Sequence, residues 1–196
     1  MALSEKSPLF KHLCEIYQEY RQTQALDAKA AFYSSQCRQI CRQDPTYAAR
    51  DPATIVRYLR ESGKVINRIF REAGWIDDES GTGPATQSSY YSVRLFTESE
   101  ANEFGTADVV IPAGFTSVQE LKTRAKEDDW QGLMINMWTD DGHGRGLLVK
   151  VKYWWHLDQR IGDDDDGVWK QVLHDILYLG PRDGTDEREG GALFRD

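Results

Sequence analysis

Between Gly132 and Gly180 the chain holds three long stretches, 133–138, 146–158 and 168–179, rich in branched aliphatic and aromatic residues. Thr139-Asp140-Asp141-Gly142-His143-Gly144-Arg145 joins the first two, Gln159 to Gly167 joins the last two, and both connections carry Asp-Gly, a hairpin signal. Two successive hairpins make an antiparallel meander. Strands of this length twist and curl, and a curled sheet needs helices on its concave side. In the central stretch, alternation sets Leu147, Val149, Val151, Tyr153, Trp155 and Leu157 on the face expected to be buried. Leu148, Lys150, Lys152, Trp154, His156 and Asp158 make a wetter face, where Trp154 implies some cover; dimerisation through the sheet would supply it. The last stretch mixes apolar and polar residues on both faces. A bulge that swaps its phase midway would account for that, and which of His174 and Asp175 points inward stays open.

Helices are written ahead of these strands. Ser7-Pro8 and Asp51-Pro52 each pair an N-cap with proline at the first helical position. The first opens an amphipathic helix carrying Leu13, Ile16, Tyr17 and Tyr20, and the second runs to about Ala73 with Gly63 as a candidate kink. A shorter helix is expected from Leu26 to Tyr33. Cys37 to Cys41 fits a short strand or a further helical turn, and the strand is preferred. Ile76 to Ser89 reads as a loop and candidate lid, Tyr90 to Phe96 as a strand and Glu98 to Phe104 as a helical turn. Val109 to Pro112 reads as a short edge segment, and Ser117 begins a helix to about Lys126. The polar, glycine-rich end from Gly184 is expected to be partly disordered, with Leu193-Phe194 able to fold back over a pocket mouth.

The chain of 196 residues fits one domain, 1–196, with a core at about 8–180 and a flexible tail at 181–196. A net charge of −8 makes nucleic acid and anionic membrane poor partners, and no apolar run reaches the ~20 residues of a membrane span. The start of the chain lacks a signal-peptide pattern and the three cysteines cannot all pair, which together imply a cytoplasmic protein with reduced thiols. No metal site or cofactor is expected. Cys37 and Cys41 with His12 and Cys14 do not have structural-zinc spacing, and Asp163 to Asp166 lack the calcium-loop pattern.

The order of elements, with Ala49-Arg50-Asp51-Pro52-Ala53-Thr54-Ile55-Val56-Arg57-Tyr58-Leu59 opening the last long helix before the sheet, resembles the nuclear transport factor 2-like superfamily. Within it the chain looks most like the SnoaL-like and ketosteroid-isomerase-like branch. Phe32 to Arg38 sits where that family has its short strand after the second helix, and Asp165-Asp166-Gly167-Val168-Trp169 resembles its turn into the last strand. The resemblance implies an α+β fold: a cone-shaped, curved antiparallel sheet wrapped around N-terminal helices, with an apolar ligand in the open end. Members include isomerases, cyclases and dehydratases of small molecules, and others only bind ligands or dimerise, so fold alone does not assign activity.

Cofactor-free chemistry of this type needs a base for a carbon-bound proton and donors for the resulting enolate. Histidine beside carboxylate is the pairing to look for, which singles out His156 and Asp158 on one strand and His174 and Asp175 on the next. Tyr17, Tyr90, Asn136, Tyr153 and Trp155 are the candidate donors and walls. Two functions follow. One is an isomerase, cyclase or dehydratase of an apolar, oxygenated, polyketide- or terpenoid-like metabolite of secondary metabolism, working as a homodimer. The other is a ligand-binding or dimerisation module without an inward titratable pair.

Overall fold

The computed structural model describes residues 3–76, 88–158, 167–186 and 189–195. Helix α1, Pro8–Gln22, starts where Ser7 accepts a hydrogen bond from the Phe10 amide. Helix α2, Pro52–Glu72, starts where Asp51 accepts from the Thr54 amide at 2.8 Å, and it passes Gly63 without a break. Between them the expected short helix is a 3-10 turn, Leu26–Phe32, and the preferred short strand is the nine-residue β1, Tyr33–Cys41.

The sheet has five further strands: β2 Ser88–Leu95, β3 Gln131–Asp140, β4 Leu147–Asp158, β5 Val168–Pro181 and β6 Ala192–Arg195. Their order is β1-β5-β4-β3-β2-β6. The β3-β4-β5 meander is as expected, with Gly142 in the positive-φ conformation that its hairpin needs. The sheet is mixed, not purely antiparallel, because β1 runs parallel to β5. A parallel pair needs a long crossover, and most of the chain separates these two strands. The tail also departs from expectation: Ala192–Arg195 pairs with the outer edge of β2, and Phe194 stacks on Tyr91 with ring centroids 5.0 Å apart.

Alternation along the strands divides two cores. On the inner face Val151, Tyr153 and Trp155 pack against Leu13 and Tyr17 of α1 and Ile55 of α2. On the outer face Trp154 and Leu173 pack against the 96–130 connection. That connection contains two helical turns, α3 Glu98–Ala101 and α4 Ala107–Val110, and the helix α5, Val118–Glu127. Val109 and Val110 are therefore the buried residues of a helical turn and do not form an edge segment. Trp154 is 4% exposed because Phe96, Phe104 and Trp130 of its own chain cover it. The reason for placing a partner subunit there is thus removed.

Two bulges set the faces of β5. Leu173 pairs with Trp154 and Gln171 with Trp155, so Val172 is an extra residue; Ile176 pairs with Val151 and Tyr178 with Lys150, so Leu177 is another. Each insertion reverses which side chains face inward. His174 consequently lies on the inner face with Ile176, while Asp175 lies on the outer one. Of the expected Ile76 to Ser89 loop, residues 77–87 lie outside the described residues and Ser88 and Ser89 begin β2; residues 159–166 of the last connection also lie outside them. No described helix is long and apolar enough to cross a membrane.

Candidate functional site

A cavity of about 300 Å³ opens on the inner face between the sheet and α2. Val65 and Ile66 of α2, Val149 and Val151 of β4, and Ile176 and Leu179 of β5 give it aliphatic walls. Its polar groups are the tyrosines Tyr20, Tyr47, Tyr58 and Tyr153, the amide of Gln39, the Ser62 hydroxyl, the Cys41 thiol, His174, and the cations of Arg21 and Lys29. An apolar chamber with a few convergent polar groups is the usual form of a small-molecule site.

His174 is buried in this wall, at 3% exposure. The rings of Tyr33 and Tyr153 meet it edge-on, with centroids 5.2 and 4.7 Å away. Its Nε2 lies 2.7 Å from Gln171 Oε1. Burial alone pushes the imidazole pKa down to about 3, because the charged form loses its hydration in this apolar wall. The tyrosines move the other way: burial raises Tyr153 to about 12 and holds Tyr20 and Tyr33 well above the ordinary phenol. Tyr20 and Tyr33 share a hydrogen bond at 2.9 Å. Near neutral pH this wall therefore offers uncharged hydroxyls and an uncharged imidazole.

Of the anticipated His–Asp pairs, His174 and Asp175 face opposite sides of the sheet, whereas His156 and Asp158 share a groove apart from this cavity. Asp175, fully buried, turns to the outer face, where its carboxylate accepts from Arg42 Nε at 2.8 Å and Nη2 at 2.6 Å. Lys152 Nζ lies 3.6 Å from the same carboxylate and also reaches Glu103. Asp175 thus joins the outer layer to the sheet, and the bulge at Val172 is what sends it there. On β4 and β5 the cross-strand partners are Tyr153 with His174 and His156 with Lys170, so the two histidines do not meet. His156 and Asp158 line a separate groove of about 290 Å³ together with Ser34, Arg124, Asp128 and Trp130.

Of the five expected wall residues, Tyr153 lines the cavity. Tyr17 and Trp155, both fully buried, pack in the inner core, and Tyr17 donates to Met137 Sδ at 3.2 Å. Tyr90 and Asn136 face the other way, because β2 and β3 alternate in step: Tyr90 stacks on Trp138, and Asn136 donates to Glu189 at 2.8 Å. Sequence reasoning passed over Tyr20, which the helical stripe of α1 contains, and Gln171, which no pattern marks before the bulge is known. A larger groove of about 710 Å³, between α3 and α5, is floored by Phe104, Trp130 and Trp154 but rimmed by Lys122, Lys126, Glu127 and Asp129. It holds no buried titratable side chain. Among the described residues no three His, Cys, Asp or Glu side chains converge as metal ligands would.

No curated protein and no solved structure matches the chain. The family model that matches is the SnoaL-like domain, over residues 2–195. That span takes in the helices, the sheet, the outer layer and the strand at the C-terminal end, and the chain therefore belongs to the SnoaL-like family of the nuclear transport factor 2-like superfamily.

Proposed function

We propose that the inner cavity is the working site and that it takes a small, apolar, oxygen-bearing molecule of polyketide or terpenoid character. In this reading the long strands curl into a cone around α1 and α2, and the cavity is its mouth. The observation that carries the reading is the wall itself: aliphatic side chains, neutral tyrosine hydroxyls and a buried neutral imidazole around about 300 Å³, with the cations of Arg21 and Lys29 also in the lining. Such groups recognise carbonyl and hydroxyl oxygens by hydrogen bonds while the apolar surface supplies most of the affinity.

Binding is what this geometry supports best. A base whose conjugate acid ionises near pH 3 removes a carbon-bound proton poorly, and no described carboxylate faces His174 to stabilise the imidazolium. Turnover without a cofactor is the second reading, favoured by one observation. With Nε2 on Gln171, His174 Nδ1 has no hydrogen-bond partner among the described residues. In an isomerisation Nδ1 would take the proton next to a carbonyl, Tyr153 or Tyr20 would donate to the enolate oxygen, and the proton would return to another carbon. In a dehydration it would leave with a hydroxyl group as water. A homodimer through the sheet would use the part of the outer face that α3 to α5 leave uncovered.

Native mass spectrometry of the purified protein, followed by extraction, would identify a retained ligand. His174→Gln and Tyr153→Phe are then compared for binding and for conversion of that compound. Weakened binding with no conversion in any variant supports the binding reading. Conversion lost in His174→Gln with binding kept supports the enzymatic one. Full binding by the double variant would eliminate the cavity as the site.

A further inference from the structure

Three positions separate Gln171 from His174, so in an uninterrupted strand they would face opposite sides of the sheet. The extra residue Val172 brings both to the inner face. Gln171 is fully buried beside its cross-strand partner Trp155, and its Oε1 lies 2.7 Å from His174 Nε2. The rings of Tyr33 from β1 and Tyr153 from β4 meet the imidazole, with the thiol of Cys37 near both tyrosines and Gln39 opposite His174 on β1; Tyr20, Cys41, Arg21 and Lys29 share the cavity wall with it. No described carboxylate is among them.

We propose that Gln171 is the positioning residue of the cavity site: its side-chain carbonyl accepts the Nε2–H of His174, fixes that tautomer, and presents the Nδ1 lone pair to the ligand. The functional part of this rests on the cavity being the working site; the tautomer does not. The choice of an amide has a physical consequence. A carboxylate at this place would accept the same hydrogen bond and pull the ring toward imidazolium. The amide orients the ring without adding charge, so His174 stays a neutral hydrogen-bond acceptor. The bulge at Val172 acquires a purpose in the same step, since removing the extra residue would turn either Gln171 or His174 out of the inner face.

Long-range proton–nitrogen NMR correlation on ¹⁵N-histidine-labelled protein reads the tautomer directly. The expected wild-type result is a protonated Nε2 and an unprotonated Nδ1 for His174, unchanged between pH 5 and 8. Gln171→Leu should give a mixture of tautomers, with the two nitrogen signals drawn together. Gln171→Glu should raise the titration midpoint of His174 by about 1–3 pH units. An Nδ1-protonated ring in the wild type, or a Gln171→Leu spectrum identical to it, would overturn the assignment. The wild-type spectrum decides alone if the Leu variant does not fold. A correct tautomer with no ligand bound would sink the cavity reading and leave only the assignment of the tautomer to Gln171 standing.

Discussion

Replacing Asp175 with alanine should damage the fold and spare the cavity, the reverse of what its position next to His174 in sequence suggests. Its carboxylate is fully buried between Arg42, whose side chain is 20% exposed, and Lys152, at 1%. Removing one partner from such a group leaves a buried ammonium and a half-buried guanidinium facing a single carboxylate, Glu103, that is itself half exposed. The cost of leaving a buried charge uncompensated is about 3–5 kcal/mol. For a chain of this length that corresponds to a fall in Tm of roughly 6–20 °C. Urea unfolding followed by circular dichroism gives the free energy, and titration with the cavity ligand below the new Tm gives the function. Adding Lys152→Met should restore part of the loss, because the second change removes the charge that the first left unpaired. A single variant within about 0.5 kcal/mol of wild type, or one that folds normally but no longer binds, would refute the assignment of Asp175 to the outer layer.

Other outcomes follow from the same geometry. His174 has a folded pKa near 3, below the ordinary 6.5, so the unfolded chain takes up a proton in that interval that the folded chain refuses. Stability should therefore fall as pH drops below about 6.5, by at most about 1.4 kcal/mol per pH unit from this group. His174→Gln should flatten the fall between pH 5 and 6, before Glu100, held near 2 by its hydrogen bonds to Arg94, begins to contribute below about 4.5. Gly146→Ala should cost about 3 kcal/mol or more in urea unfolding, since its new methyl would stand 1.8 Å from the Thr139 carbonyl oxygen. Gly142→Ala, with φ +80° and open space around it, should lose only about 1–2 kcal/mol. Phe194→Ala should cost about 1–2 kcal/mol by removing the ring stacked on Tyr91 at the end of the inner core, and equal stability would exclude a structural role for β6.

Much of the fold can be read from local signals because those signals act locally. Ser7-Pro8 and Asp51-Pro52 cap helices within one turn, and Asp141-Gly142 sets a hairpin by its own backbone preference. The alternation of Val151, Tyr153 and Trp155 is enough to find the inner face of β4. Other elements depend on distant partners. The segment Val109 to Pro112 looks strand-like by composition, but Val109 and Val110 pack in the helical turn Ala107–Val110 in the cluster that holds Trp154. Ala192–Arg195, four residues behind a glycine-rich polar stretch, is too short to announce itself, and it exists as a strand because the edge of β2 lies beside it.

The candidate site was legible in its residue types and not in their directions. A histidine next to an aspartate suggests a catalytic pair only if one assumes that both can reach the same space. In an extended strand adjacent side chains cannot, since they leave opposite faces of the sheet. The bulges of β5 fall at Val172 and Leu177 and none falls between His174 and Asp175, which pair regularly with Tyr153 and Lys152, so the two side chains leave opposite faces and belong to different chemistries. The inner face takes the group that tolerates burial by losing its charge, and the outer face takes the one that keeps its charge by pairing with Arg42 and Lys152. The imidazole's true companion is found three residues back, across the inserted Val172, and it is an uncharged one. This is why the cavity is better suited to orienting a neutral oxygen-bearing ligand than to driving strong acid–base chemistry, and why an engineered Gln171→Glu variant is the direct way to ask whether adding a carboxylate there changes the one into the other.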